Sequence, residues 1–344
     1  MPGRLAESDT DEPGSGAGET SAAGHTTTEP SLGLGFGPLD WFAARPRLAA
    51  LLGAICISFS GIFYLNAAVS ASTGTVFRAL FGLPILAMVA LAERRRAGPL
   101  PTRTVRLAAI AGLFFVGDLM FWHHAIAAVG AGLATVLGNL QVLVVGFIAW
   151  VALGERPSRA TLLALPIVLL GVVFISGAVG SGAYGADPTM GVILGILTAF
   201  CYAGYLLTIR LGGRDQSRPA GPVATATLVT ALGAIVVGLV VGDLDLTPSG
   251  SSLLWLVLYG VTSQSLGYLL ISISLPRLPA LIVSVILLVQ PVVAVALARV
   301  LRGETPSTAQ LVGVGLVIGG IAVATVPVGR IRSGLRRDPA GDLG

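Results

Sequence analysis

From Leu48 onward, apolar stretches of about 20 residues follow one another with short polar breaks, each long enough to cross a bilayer core of about 30 Å as a helix. The breaks predict ten helices, at 48–68, 72–92, 106–126, 131–152, 159–177, 190–210, 221–242, 252–274, 280–301 and 308–328. A membrane β-barrel would show shorter segments alternating apolar and polar residues, so the pattern is helical. Ahead of it, residues 1–47 are rich in Gly, Ser, Thr and Pro, with Glu7, Asp9, Asp11, Glu12, Glu19 and Glu29 surrounding little that can be buried. They read as a disordered tail. No basic start leads into an apolar run before Leu48, so the first span is expected to be retained rather than cleaved as a signal peptide.

One stretch occurs twice. Gln141 to Gly171 reads QVLVVGFIAWVALGERPSRATLLALPIVLLG, and 149 residues later Gln290 to Gly320 reads QPVVAVALARVLRGETPSTAQLVGVGLVIGG. Twelve of the thirty-one aligned positions are identical without a gap, including Gly-Glu-x-Pro-Ser at Gly154–Ser158 and Gly303–Ser307. Shared hydrophobicity would match Val and Leu, but it would not align Gln, Gly, Glu, Pro and Ser. The chain is duplicated, and an odd number of spans per copy turns the second copy upside down. The expected fold is therefore an all-α integral membrane protein of ten transmembrane helices, as two inverted five-helix repeats at 48–177 and 190–328. GAICISFSGIF at Gly53 to Phe63 also lies on GILTAFCYAGY at Gly195 to Tyr205.

Composition agrees: 54% of the residues are hydrophobic and 11% charged, with mean hydropathy +0.87, against roughly 25% charged in a soluble domain. All 21 cationic side chains are Arg. Arg94, Arg95, Arg96, Arg103 and Arg106 place the loop after the second span in the cytoplasm. Alternation then puts Arg156, Arg159, Arg210, Arg214, Arg218, Arg277 and the basic tail 329–344 on the same side. Asp187, Asp243 and Asp245 fall opposite, and Arg299 and Arg302 run against the rule. Both termini are expected inside a cytoplasmic membrane. Basic and aromatic residues do not interleave as nucleic-acid binding requires. Cys56 and Cys201 read as small packing residues.

The two five-helix halves, the paired GERPS and GETPS turns, the Gln290-Pro291 pair within LLVQPVVA and Phe77-Arg78 early in the second helix resemble the EamA-domain branch of the drug/metabolite transporter superfamily. The resemblance spans Leu48 to about Val328. It implies a secondary transporter whose central path is walled by both halves and opens to alternate sides. Gln290 stands where such relatives often carry Glu, so a carboxylate-based coupling role is not carried over to it.

Asp118, within LFFVGDLMFWHHA, is the strongest candidate for chemistry, because a carboxylate inside a membrane must be paired, hydrated or protonated. By helix rise, Asp118 lies about 12 Å and Arg78 about 9 Å from the same end of adjacent helices, so the two can meet. Two readings stay open: an ion pair, with Arg78 otherwise snorkelling to the interface, or an Asp118 that binds a substrate amine or cycles a proton. His123 and His124 are turned about 140° and 240° from Asp118 and share no face with it. They lack the spacing and companions of a metal site. No metal and no cofactor is expected, and packing or interfacial roles, or a pH-sensing one, fit them better.

Gln141 and Gln290 occupy equivalent positions near mid-membrane, where a buried amide cross-links helices or meets a substrate. Thr135 and Asn139 share another face of the fourth helix. Gly260, Gln264 and Tyr268 form an i, i+4, i+8 stripe with Ser263 beside it, and Tyr202 and Tyr205 pair with Ser58 and Ser60 of the matching first helix. In the Gly-Glu-x-Pro-Ser turns, Gly ends one helix, Ser158 or Ser307 caps the next, and Glu155 or Glu304 stays in the turn.

The leading reading is a secondary active transporter moving a small metabolite, amino acid or drug-like compound, proton-coupled and in the efflux direction. Its partners are a small-molecule substrate, the lipid bilayer and protons. There is no GxxxxGK[ST] for ATP. The alternatives are a membrane-embedded enzyme using Asp118 with His123 or His124, and a non-transporting scaffold or receptor.

Overall fold

In the computed structural model, which describes residues 37–153, 159–212, 218–278, 283 and 286–325, every regular element among those residues is a helix. The first half holds α1 (Gly37–Ala43), α2 (Pro46–Ser58), α3 (Ser60–Ala67), α4 (Ala71–Ala97), α5 (Thr102–Val129), α6 (Ala131–Gly138), α7 (Gln141–Leu153) and α8 (Arg159–Ile175). The second holds α9 (Pro188–Gly212), α10 (Ala220–Val241), α11 (Gly250–Leu258), α12 (Tyr268–Ser274), α13 (Val289–Arg302) and α14 (Thr308–Thr325). A π-helical stretch, Tyr259–Gly267, joins α11 to α12, and a 3₁₀ turn, Leu275–Arg277, follows.

Three expectations change. The end of the tail is ordered as α1, where the Arg45 guanidinium lies 4.3 Å from the Trp41 ring centroid; residues 1–36 and the tail 329–344 lie outside the described residues. The first, fourth and eighth spans are not continuous α-helices, being interrupted at Phe59, at Asn139–Leu140 and by the π-helical stretch. Six helices among the described residues are long and apolar enough to cross a membrane: Pro46–Ala67, Ala71–Ala97, Thr102–Val129, Pro188–Gly212, Ala220–Val241 and Gly250–Arg277. Ala131–Val145, Leu162–Ile175 and Thr308–Val323 are apolar but shorter.

The distribution of side chains is inverted relative to a soluble protein. Arg78, Glu93, Asp118 and Glu304 are buried, while Leu163, Leu239 and Val300 are exposed, and Val240 is 82% exposed. A few ionisable groups are held inside and hydrocarbon faces out, as a bilayer solvent demands. This is a multi-pass membrane protein.

The halves pack in matched pairs. α4 lies against α10 and α8 against α14, each helix beside the one that occupies its place in the other half, and α6 lies against α13. α5 packs on α9, and reciprocally α2 packs on the π-helical stretch and α12. The helix starts are matched as well. The Glu93 carboxylate of α4 accepts the α10 amides of Ala220 and Gly221, both at 2.9 Å, and Asp243, just beyond α10, accepts the Ser72 amide of α4 at 3.4 Å. An anion at a helix N-terminus satisfies free amides and complements the dipole.

α8 and α14 meet through glycine. A Cβ on Gly171 would lie 2.8 Å from the Gly313 carbonyl oxygen, and one on Gly313 2.6 Å from that of Gly171. Bare backbone lets the helices touch without a solvent-driven hydrophobic force, which lipid does not supply. Gly171→Ala is expected to lower the thermal unfolding midpoint in detergent, at an overpacking cost of about 1–3 kcal/mol. Gly315→Ala, whose Cβ meets nothing within 4 Å, is expected to leave the midpoint unchanged; equal effects would disprove the close approach.

Candidate functional site

The densest polar cluster forms around Arg78, where α4, α5, α10 and the π-helical stretch converge. Ser70 caps α4 by accepting the Thr73 amide at 3.1 Å, which sets Arg78 about 10 Å along the helix. Gly82 and Gly260 let the π-helical stretch press against α4: a Cβ on Gly82 would lie 2.7 Å from the Gln264 Cβ, and one on Gly260 2.8 Å from the Arg78 carbonyl oxygen. The geometry thus brings Gln264 and Tyr259 onto the guanidinium.

Arg78 is 2% exposed. Its Nε donates to Gln264 Oε1 at 2.8 Å and its Nη1 to the Tyr259 hydroxyl at 2.7 Å. The guanidinium carbon lies 4.7 Å from the Tyr259 ring centroid, 5.4 Å from Phe115 and 5.7 Å from Tyr268. Gln264 Nε2 continues the chain by donating to Thr227 Oγ1 at 2.9 Å. A buried cation is thus solvated by neutral dipoles and ring faces.

On the other side of Tyr259 lies His123. The Thr75 hydroxyl stands 2.9 Å from the Ala71 carbonyl and 3.2 Å from His123 Nδ1. His123 Nε2 stands 3.0 Å from the Tyr259 hydroxyl, which accepts from Arg78. A chain of hydrogen bonds thus links Arg78, Tyr259, His123 and Thr75, and it engages both ring nitrogens of His123. Tyr64 stacks on the imidazole with centroids 3.9 Å apart.

Of the residues singled out in the sequence, Arg78, His123, Gln264, Tyr268, Tyr202, Tyr205 and Asp118 are brought together. Phe115 stacks on Tyr205 at 4.6 Å and meets Tyr268 edge-on at 5.2 Å, and Tyr202 stacks on Tyr205 at 6.1 Å. Asp118 is 6% exposed and feels the charge of Arg78. Of the two readings of Asp118, the ion pair is not formed: within 4.0 Å Asp118 has no cationic partner among the described residues, because Arg78 directs its bonds to Gln264 and Tyr259. Nor does Arg78 snorkel. His123 is buried rather than interfacial, while His124 is exposed.

The other candidates lie apart. Asn139, just past α6, donates its Nδ2 hydrogen back to the Thr135 carbonyl at 2.8 Å. Gln141 is buried at the start of α7. The Gln290 carbonyl accepts from Ser58 Oγ at 3.3 Å, and its buried Nε2 has no partner among the described residues. No group of three or more His, Cys, Asp or Glu among the described residues is disposed to hold a metal ion.

A cavity of ≈ 360 Å³ opens at the end of the molecule where α5 stops and α6 begins, lined by Leu65, Ile126, Gly130, Tyr184, Arg302 and Glu304 among others. Glu304 does not stay in its turn. Its carboxylate accepts the Ala131 amide at 2.7 Å and the Gly132 amide at 3.2 Å, capping α6 across the repeat boundary. Burial pushes this carboxyl above its ordinary pKa, and the two amide bonds and Arg302 oppose the shift. Ser307 does cap α14, and Gln310 completes a capping box by accepting the Ser307 amide at 3.0 Å. Gln310 also holds Tyr184, accepting its amide at 2.7 Å and donating to its carbonyl at 3.0 Å. The equivalent Glu155 and Ser158 lie outside the described residues.

Sequence reasoning missed Tyr259, Thr75, Tyr64, Thr227 and the reach of Glu304. At α-helical spacing Tyr259 is turned about 140° from Gln264, so no periodic reading joins them. The capping box Ser307-x-x-Gln310 was a readable signal; the cross-repeat cap was not.

Comparison with known proteins places this geometry among relatives. The model of the EamA-like transporter family matches residues 46–177 and again 189–326. An uncharacterized protein of Pseudomonas aeruginosa is 29% identical over 263 residues, 76% of this chain and 86% of its own. An uncharacterized transporter of Bacillus subtilis is 26% identical, covering 62% of this chain and 68% of its own. Another from Archaeoglobus fulgidus is 22% identical, covering 83% and 98%. A solved crystal structure superposes with a TM-score of 0.59 at 21% identity, over 82% of this chain and 98% of that one, a likeness of fold.

Tyr259→Phe removes the hydroxyl that serves both Arg78 and His123, leaving two buried groups short of a partner at about 1–3 kcal/mol. The expected result is a lower melting midpoint in detergent micelles. A midpoint equal to that of the wild type would show that the chain of hydrogen bonds carries no stability.

Proposed function

The chain belongs to the EamA-like transporter family, and from that premise we propose that it is a secondary carrier of ten transmembrane helices in two inverted five-helix repeats. It moves a small metabolite, amino acid or drug-like compound across the cytoplasmic membrane by alternating access, outward and coupled to protons, with both termini in the cytoplasm.

The observation that carries this reading is where the buried polar cluster sits. Arg78 and Asp118 belong to the first half, while Tyr259, Gln264, Thr227 and Tyr268 belong to the second, so the cluster is built across the seam along which the halves would part. Polar groups placed there are costly in a membrane and are spent where a path must form. The cavity beneath Tyr184 and Arg302 is the entrance in this conformation, and the Arg78 cluster closes the path beyond it. Asp118 has no cationic partner among the described residues, so it is the group left to bind a substrate amine or to exchange a proton.

The enzyme reading loses support from the same geometry. Both ring nitrogens of His123 are committed, to Thr75 and Tyr259, and neither is turned to Asp118. A scaffold would be better served by an apolar interior, since replacing buried charge by hydrocarbon stabilises a fold that does not move.

The test is flux in reconstituted liposomes, with labelled amino acids, nucleobases and cationic dyes supplied with and without a proton gradient. The wild type is expected to move at least one of them in a gradient-dependent way. Asp118→Asn is expected to reduce that flux to background at unchanged expression. Undiminished flux in the variant, or no flux of any compound in the wild type, overturns the reading.

A further inference from the structure

Nine consecutive residues, Tyr259–Gly267, run in π-helical register. This i→i+5 form is rare, usually a single turn, and its bonding is poorer than that of the α-helix it replaces. Something must hold it. In an α-helix Tyr259 and Gln264 would point about 140° apart, and only one of them could reach Arg78. In i→i+5 register they share a face, and both do. The surroundings are shaped for sliding rather than interlocking. Glycines line the approaches to α4 and α2, at Gly82–Gly260 and Gly53–Gly267, where Cβ atoms would lie within 3.1 Å and 3.4 Å of the facing backbone. The Ser265 hydroxyl reaches the Gly82 and Gly260 carbonyls at 2.8 and 3.3 Å, and Ser263 the Cys56 carbonyl at 3.3 Å.

We propose that Tyr259 and Gln264 are positioning residues that keep Arg78 covered, and that the stretch Tyr259–Gly267 is a register switch. When it relaxes to i→i+4 spacing, one of the two residues swings off Arg78 and the other stays. The released guanidinium N–H then faces the wall of Phe115, Tyr205 and Tyr268. Only hydrogen bonds form and break in this step, and the better-aligned backbone bonds of the α-helix offset the side-chain bond to Arg78 that opens. The use of this switch in transport rests on the carrier reading; the switch itself is a claim about the helix.

The test is hydrogen–deuterium exchange on the purified full chain, with a variant that lacks Val261. Deleting one residue puts Tyr259 and Gln264 four apart, about 40° from each other in an α-helix, so both stay on Arg78 and the register has nothing to relax. In the wild type, the amides of 259–267 are expected to exchange about tenfold faster than those of α12 in the same helix. In the deletion variant they are expected to slow to the α12 rate. Wild-type amides as slow as α12, or a variant that stays fast, overturn the switch.

If the deletion variant does not fold, Gln264→Leu takes its place. It withdraws one of the two holds, so exchange across the stretch is expected to slow, against the usual consequence of removing a buried hydrogen bond. Unchanged or faster exchange overturns the switch. Flux separates the two claims. A deletion variant that folds, exchanges slowly and still transports at the wild-type rate removes the switch from the transport cycle. A wild type without flux removes the carrier reading and leaves the exchange result standing.

Discussion

A guanidinium withdrawn from both water and lipid has to be solvated by the protein, and the interior arrangement follows from how Arg78 meets that demand. A buried ion costs several kcal/mol even after relaxation unless its donors are met. The obvious remedy, a carboxylate, is close by in Asp118, yet the hydrogen bonds go to an amide and a phenol with three aromatic faces around them. That choice has structural consequences. The phenol is within reach only because the eighth span leaves α-helical register, and it stands close enough only because Gly82 and Gly260 carry no side chain. Its oxygen meets His123 as well as Arg78. Asp118 is left as a buried carboxyl with no bond to that cation.

Around this centre the two halves are alike at their ends and unlike in their middle. Carboxylates at or beyond helix ends cap the starts of helices in the other half: Glu93 on α10, Asp243 on α4 and Glu304 on α6. Such caps tie the repeats together where their backbones have unmet amides, and they use the helix dipole, a property of backbone and not of any side chain. In the middle, both ionisable groups come from the first half, and the hydroxyl and amide groups that answer Arg78 come from the second. Duplication supplied a symmetric frame, and the polar chemistry is placed asymmetrically within it.

The frame was legible in the sequence because hydrophobic length, repeat period and turn residues are local quantities. Span after span of apolar residues required a bilayer, and the aligned Gly-Glu-x-Pro-Ser turns required two related halves, which the family match over 46–177 and 189–326 bears out. Arg78, Asp118, Gln264, Tyr202, Tyr205 and Tyr268 stood out because polar and aromatic groups within apolar runs are costly enough to need a reason, and the fold does gather them. Ser307 was legible as a cap for the same local reason.

What the sequence could not decide is which of those groups touch. An α-helical wheel separates Tyr259 from Gln264 and so hides Tyr259, since the departure from 3.6 residues per turn goes with packing against α4 and α2 and leaves no mark in periodicity. It also left open whether Arg78 and Asp118 pair, because helix rise sets their depth while only the rotation of α4 against α5 sets their facing. Glu304 looked like a spectator in its turn until the second half folded over the start of α6. Composition and period, then, determined the membrane and the duplication and singled out the polar residues within apolar runs. The partners of those residues were decided by tertiary structure, because the meeting of two helices depends on rotation and close approach, which no single helix contains.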